Sequence, residues 1–186
     1  MKTEELANLK VIKFFTKPAG ILMGNRIRKL IFNPVKTLKG ANVKSGQTVL
    51  EAGCGSGFFT IPAADIIGEE GLLIALDVSP VLIEQVSKKV QNAKLKNVKI
   101  VQRDALDTGI DNESVDKVLL FGVIPFPLLP LSRLLPEMHR ILKTNGTMAI
   151  WLFPPLVNYG VPRAIIQSGL FTYKNKKYCV YNYKKC

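Results

Sequence analysis

Histidine and cysteine are nearly missing from this chain. A single histidine, His139, and three cysteines, Cys54, Cys179 and Cys186, are spread over 186 residues. No CxxC pair or Cys/His cluster has metal-ligand spacing, so a zinc site is not expected. An odd, sparse cysteine count also argues against the disulfide framework of a small secreted domain. No long apolar run is present. The longest, Val118–Leu131, is interrupted by Pro125, Pro127 and Pro130 and cannot span a bilayer as a helix. Glu4 and Glu5 interrupt the start, and no apolar region of signal-peptide type follows them. A cytoplasmic protein is the default expectation.

Acidic residues are scarce at the two ends. The chain carries 26 Lys and Arg against 14 Asp and Glu, for a net charge of +12. Residues 1–44 and 171–186 hold all of the excess, and the stretch between them is close to neutral. Two basic ends around a neutral body suit either an anionic partner surface or simple solubility. At 47% apolar the composition supports a packed core.

Residues 1–44 are expected to form a basic helical extension, acting as a lid or a membrane-surface contact. Leu6, Leu9, Ile12 and Phe15 make a near-helical stripe, and a second stretch over Ile21–Phe32 is ended by Asn33-Pro34. Residues 45–186 change to alternating strands and helices. Strands are predicted at Thr48–Ala52, Leu72–Asp77, Val98–Arg103, Lys117–Phe121 and Thr147–Phe153. Helices are predicted between them: from the glycine turn to Ile67, from Pro80 to Ala93, and from Leu131 to Leu142. A short helix over Ala164–Ser168 precedes a hairpin of Phe171–Lys174 and Tyr178–Tyr183 around Asn175. Strand–helix alternation implies a parallel sheet covered on both faces.

The segment Val49-Leu50-Glu51-Ala52-Gly53-Cys54-Gly55-Ser56-Gly57 reads as strand, sharp turn and helix start. Glycines belong there if a ligand must touch backbone where a Cβ would intrude. A dinucleotide fingerprint fails in both registers, because Phe58 or Thr60 stands where its last glycine should be. A phosphate loop fails for want of Gly-Lys-Ser/Thr. Glu51 at the strand end would repel a pyrophosphate and suits a cofactor bearing positive charge. Asp77 ends the second strand, where an acid hydrogen-bonds ribose hydroxyls, and Asp104 follows the third. The alternative is a plain tight turn flanked by solvated acids.

With these residues in order, the chain resembles class I S-adenosylmethionine-dependent methyltransferases. Val49–Gly57, Ala75-Leu76-Asp77, Arg103-Asp104-Ala105, Ser114-Val115-Asp116 and Glu137–Lys143 carry the resemblance, which leans toward the quinone and sterol C-methyltransferase-like branch. It implies a Rossmann-like α/β fold: a mostly parallel seven-stranded sheet with helices on both faces and a C-terminal antiparallel hairpin. It also implies S-adenosylmethionine as cofactor. Glu51 would organise the methionine end, and Gly53, Cys54 and Gly55 would line that end with backbone. Asp77 would hold the ribose, Val78 would pack on adenine, and Asp104 would accept from its amino group. Ala105 and Phe121 would complete the wall. Two departures loosen the branch assignment: Gly109-Ile110-Asp111 replaces Leu-Pro-Phe, and Thr144-Asn145-Gly146 replaces Pro-Gly-Gly.

No side chain is assigned as a general base. His139 is read as a packing or solvated residue, and Cys54 as small filler in the turn. The proline-stiffened segment Phe121–Leu129 is read as the wall of an apolar acceptor pocket, or as a loop packed on the next helix. The expected activity is methyl transfer to a small, apolar or lipid-like acceptor. The basic ends add an expected peripheral contact with an anionic membrane. A nucleic-acid (RNA) methyltransferase and a non-catalytic S-adenosylmethionine-binding protein are the alternatives. Oligomeric state and the methylated atom are left unassigned.

Overall fold

The computed structural model describes residues 33–124, 129–152 and 160–186. The helices expected upstream of Asn33 lie outside those residues.

Seven strands form one sheet in the order β3-β2-β1-β4-β5-β7-β6. They are β1 (Thr48–Ala52), β2 (Leu72–Asp77), β3 (Val98–Gln102), β4 (Val115–Phe121), β5 (Leu142–Trp151), β6 (Phe171–Lys177) and β7 (Val180–Lys185). The first five pair in parallel, and β7 runs antiparallel between β5 and β6. The helices are α1 (Pro34–Gly40), α2 (Thr60–Ile67), α3 (Pro80–Asn92), α4 (Leu131–Ile141) and α5 (Val161–Gln167). This is the mostly parallel, seven-stranded Rossmann-like sheet with a C-terminal hairpin expected from the sequence.

Because side chains alternate along a strand, each central strand supplies both faces. Leu50, Ile74, Val118, Leu120 and Ile150 meet Leu134, Leu135 and Met138 of α4 and Ile165 of α5. Val49, Leu73, Leu119 and Ala149 meet Leu38 of α1 and Ala63, Ala64 and Ile67 of α2. Val86 and Val90 of α3 cover Ala75 on that second side. Both faces are therefore dry, which explains why these strands read as unbroken apolar runs.

Two local expectations are corrected, at β5 and at the closing hairpin. The helix expected to end at Asn33-Pro34 lies outside the described residues, and Pro34 itself starts α1. The Asn33 side chain accepts a hydrogen bond from the Lys36 amide at 3.0 Å, and proline at the first helical position suits a helix start. Leu38 and Ala41 of this region are fully buried, so the core begins upstream of residue 45. Strand β5 starts at Leu142, directly after α4, and reaches its main register with β4 only at Thr147. Between them Asn145 takes a left-handed φ of 66°, the conformation a glycine would supply in the family's Pro-Gly-Gly. The closing hairpin turns at Tyr178-Cys179, both at positive φ (48° and 63°), as a tight two-residue turn requires. Asn175, expected in the turn, instead sits in β6 and accepts a hydrogen bond from Asn182 at 2.9 Å.

Candidate cofactor-binding and active site

The carboxyl ends of β1 and β2 lie side by side, with Ala52 opposite Leu76. Immediately beyond, Gly53 and Cys54 both donate their amides to the Leu76 carbonyl, at 2.7 and 2.9 Å. This folds the glycine turn back over β2. Gly53, Gly55 and Gly57 all have positive φ, but for different neighbours. A Cβ on Gly53 would stand 2.3 Å from Val123 Cγ1, and one on Gly57 would stand 2.8 Å from Val86 Cγ2. A Cβ on Gly55 would meet nothing within 4 Å. The outer two glycines thus permit packing within the protein, whereas Gly55 presents bare backbone to open space, the arrangement a closely approaching ligand needs.

Two buried carboxylates flank that backbone. Glu51 is 2% exposed, and its Oε2 accepts from the Thr60 hydroxyl at 2.7 Å. Asp77 is 8% exposed; Oδ2 accepts from the Gly55 amide and Oδ1 from the Ser79 amide, each at 2.9 Å. Burial pushes the Asp77 carboxyl above its ordinary range, opposed by the amides of Ser79, Gly55 and Val78. Each Asp77 oxygen keeps a lone-pair direction for a ribose hydroxyl. Lys89 of α3 donates to the Ser56 carbonyl and pins the outside of the turn.

Val78 is half-buried beside Asp77. Asp104 begins the loop after β3 and holds itself in a local turn, Oδ1 accepting from the Leu106 amide at 2.9 Å. Ala105 is buried in the core on the α4 side. That loop is anchored from below by Glu137. The Thr108 amide and hydroxyl reach Glu137 Oε1 at 3.0 and 2.6 Å, and Arg140 grips both carboxylate oxygens at 2.7 Å. Although burial opposes it, these hydrogen bonds from Arg140 and Thr108 hold the Glu137 carboxyl at about 2. Phe121 ends β4, but its ring belongs to the core: it lies edge-on to Phe59 at 4.9 Å, and Phe59 in turn meets Trp151.

Cys54 is 5% exposed and packs with Ala75, Val86 and Val90. Burial first, then the charges of Glu51 and Asp77, raise its thiol far above the usual range. A protonated thiol is no nucleophile, which agrees with a filler role. His139 lies edge-on to Phe171 at 5.8 Å, a packing position on α4. Among the described residues no group of His, Cys, Asp and Glu has the make-up of a metal site. Of the apolar segment after β4, Ile124 is buried in the core and Val123 touches the glycine turn. Residues 125–128 lie outside the described part.

Sequence reasoning missed Thr60 and Ser79. The Asp77-Val78-Ser79 spacing is legible afterwards as an Asx-type turn, the acid capping the amide two residues on. Thr60 left only a weak signal, a hydroxyl at the first position of α2.

Residues 43–180 match the family model described as a methyltransferase domain. The chain belongs to that family. The methyltransferase domain is 31% identical over 111 residues to a demethylmenaquinone methyltransferase of Oceanobacillus iheyensis, covering 59% of this chain and 46% of that one. It is 33% identical over 115 residues to the protein of the same name from Listeria welshimeri, covering 61% and 48%. The chain thus spans about half the length of the curated relatives it matches. Its fold is shared with a SAM-dependent methyltransferase of Aquifex aeolicus, with a TM-score of 0.68, 24% identity, and 85% and 91% of the two chains covered. S-adenosylmethionine is the cofactor of this family, and the bare Gly55 backbone between two buried acids fits it. No helix among the described residues is long and apolar enough to cross a membrane.

Proposed function

We propose that this methyltransferase domain binds S-adenosylmethionine across the carboxyl ends of β1, β2 and β3 and methylates a small apolar, lipid-like acceptor of the quinone kind. The observation that carries the reading is the pairing of buried Glu51 and Asp77 beside the half-buried Gly55, whose backbone borders open space. A buried acid beside bare backbone suits a ligand that is cationic at one end and rich in hydroxyls at its middle.

When bound, the cofactor supplies an electrophilic methyl group on a sulfonium. The chain's own residues then bind and orient. Glu51, held by Thr60, faces the ammonium end through the turn of Gly53, Cys54 and Gly55. Asp77 accepts from the ribose hydroxyls, Val78 packs on the adenine, and Asp104 and Ala105 take its amino edge. Phe121 supports the wall from inside the core rather than lining it. Fixing donor and acceptor in line supplies much of the rate without a covalent residue. The names of the Oceanobacillus and Listeria relatives and the half-buried, apolar Val123 beside the glycine turn favour a greasy acceptor. A cytoplasmic location with peripheral contact at an anionic membrane fits such a substrate; it rests on the basic, apolar sequence of residues 1–32.

Calorimetric titration with S-adenosylmethionine, S-adenosylhomocysteine and NAD tests the cofactor. Binding of the first two alone is expected, with Asp77→Ala weakening it by about 1.5–3 kcal/mol, the worth of a hydrogen bond to a charged group. Tight NAD binding with no response to the other two would overturn the assignment. Labelled methyl transfer to a lipid extract, set against RNA, tests the acceptor class; label in RNA alone would favour the nucleic-acid alternative.

A further inference from the structure

Between the end of α1, the starts of β1, β4 and β5, and the β6–β7 hairpin lies a polar cavity of about 460 Å³. Six lysines line it: Lys39, Lys44, Lys117, Lys143, Lys174 and Lys177. Among the described residues Asp116 is its one carboxylate, and Asp116 is engaged already. Its Oδ1 accepts from Lys143 Nζ at 2.9 Å and its Oδ2 from the Thr48 amide at 2.8 Å.

Lys117 is the unusual member. It stands within β4, on the face shared with Val49 and Leu119, and is 3% exposed. Its ammonium donates to the Thr147 hydroxyl at 2.5 Å, and among the described residues it forms no ion pair. A hydroxyl does not neutralise a charge, and a buried ammonium without a counter-ion is costly. The charged groups that act on it, Lys174 and Lys44, are cations as well. The methyl-transfer site makes no use of this lysine, and a Met or Leu would fill the same place in the sheet without the cost.

We propose that this cavity is a binding site for a multivalent phosphate group, with Lys117 as its buried floor and Lys44 and Lys174 at its mouth. Six ammonium groups against one satisfied carboxylate suit an oxyanion of several charges better than a monocarboxylate. Burial of Lys117 strengthens its attraction for an anion that reaches it, since the surrounding dielectric is low. Such a ligand also removes the mutual repulsion of Lys117, Lys44 and Lys174. Its lining shares no residue with the candidate cofactor site, and the proposal does not depend on which acceptor is methylated.

The test uses the full chain at low salt, titrated with sodium pyrophosphate by calorimetry. Saturable binding that weakens with added salt is expected. Lys117→Met should weaken it by about tenfold or more, the loss of one charge-assisted hydrogen bond. The double variant Lys44→Gln/Lys174→Gln alters exposed residues only and should weaken it as much, which keeps the test intact if Lys117→Met fails to fold. Lys94→Gln/Lys96→Gln removes the same charge away from the cavity and should leave affinity unchanged, as should every variant for S-adenosylhomocysteine. Absence of saturable binding, or equal weakening by Lys94→Gln/Lys96→Gln, would overturn the proposal. Vesicles of phosphatidic acid and phosphatidylcholine, which offer a phosphomonoester headgroup, then separate the sources. Displacement of pyrophosphate by vesicles supports a lipid headgroup at the site, and no displacement supports a free phosphate compound.

Discussion

Thr60 donates its hydroxyl to Glu51 across 2.7 Å, and both residues are buried, at 0% and 2% exposure. The first residue of α2 therefore orients an acid near the end of β1, and helix and strand are fixed together at the proposed methionine end of the cofactor site. Thr60→Val keeps the shape and removes the donor. It should lower stability by about 1.5–3 kcal/mol, as for a hydrogen bond to a charged group. It should also weaken S-adenosylhomocysteine binding. Urea denaturation and calorimetry on the same variant check both; unchanged binding would separate Glu51 from the cofactor.

The glycines of the turn should respond in opposite ways. Gly53→Ala drives a methyl into Val123, 2.3 Å away, and should act chiefly on stability. Gly55→Ala meets no protein atom and carries only the left-handed backbone cost of about 1–2 kcal/mol. Its main effect should be loss of cofactor binding. Thermal melts with and without S-adenosylhomocysteine read the difference, since the ligand should still stabilise a folded Gly53→Ala but not Gly55→Ala.

Glu137 makes the loop bearing Asp104 sensitive to acid. Its folded carboxyl is held at about 2, below its ordinary 4.5. A depressed acid stabilises the fold above its unfolded value, and that contribution disappears as pH falls from about 4.5 to about 2. Glu137→Gln should lower stability at pH 7 and flatten the acid limb of the stability curve. Denaturant midpoints measured from pH 3 to pH 7 check the slope. An unchanged acid limb in the variant would remove Glu137 from this role.

Lys117 has the opposite sign. Burial, helped by the Lys174 and Lys44 charges, lowers its ammonium from 10.5 to about 8. The unfolded chain therefore binds a proton more tightly, and the fold should gain stability as pH rises from about 8 to about 10.5. Lys117→Met should raise stability at pH 7 by about 1–3 kcal/mol, within the range found when buried charges give way to apolar groups. It should also abolish the alkaline gain, in denaturant titrations without added phosphate.

Much of the sheet was legible because its signals are local. Thr48–Ala52 and Leu72–Asp77 are apolar runs bounded by glycine or an acid, and their observed limits match the expected ones. The acids Glu51, Asp77 and Asp104 stand at strand ends in one dimension as in three. The missed features depend on partners far away in sequence. Asn182 lies 142 residues from the Gly40 carbonyl to which it donates at 3.0 Å, and Thr108 lies 29 from Glu137. The Tyr178-Cys179 turn was missed because both residues adopt a backbone that their side chains disfavour. Nothing in the sequence reveals that Phe59 faces the ring of Phe121.

The placement of β7 between β5 and β6 imposes an order on assembly. Strand β6 leaves the ribosome before β7, yet β7 is its partner and separates it from β5. Until Val180–Lys185 has emerged, β5 presents an open apolar edge and β6 has nothing to pair with. Strand β7 therefore completes the sheet on both of its sides, and it brings Asn182 to the Gly40 carbonyl of α1. A nascent chain stalled before residue 180 would expose that edge to other chains, an aggregation hazard until Val180–Lys185 is made.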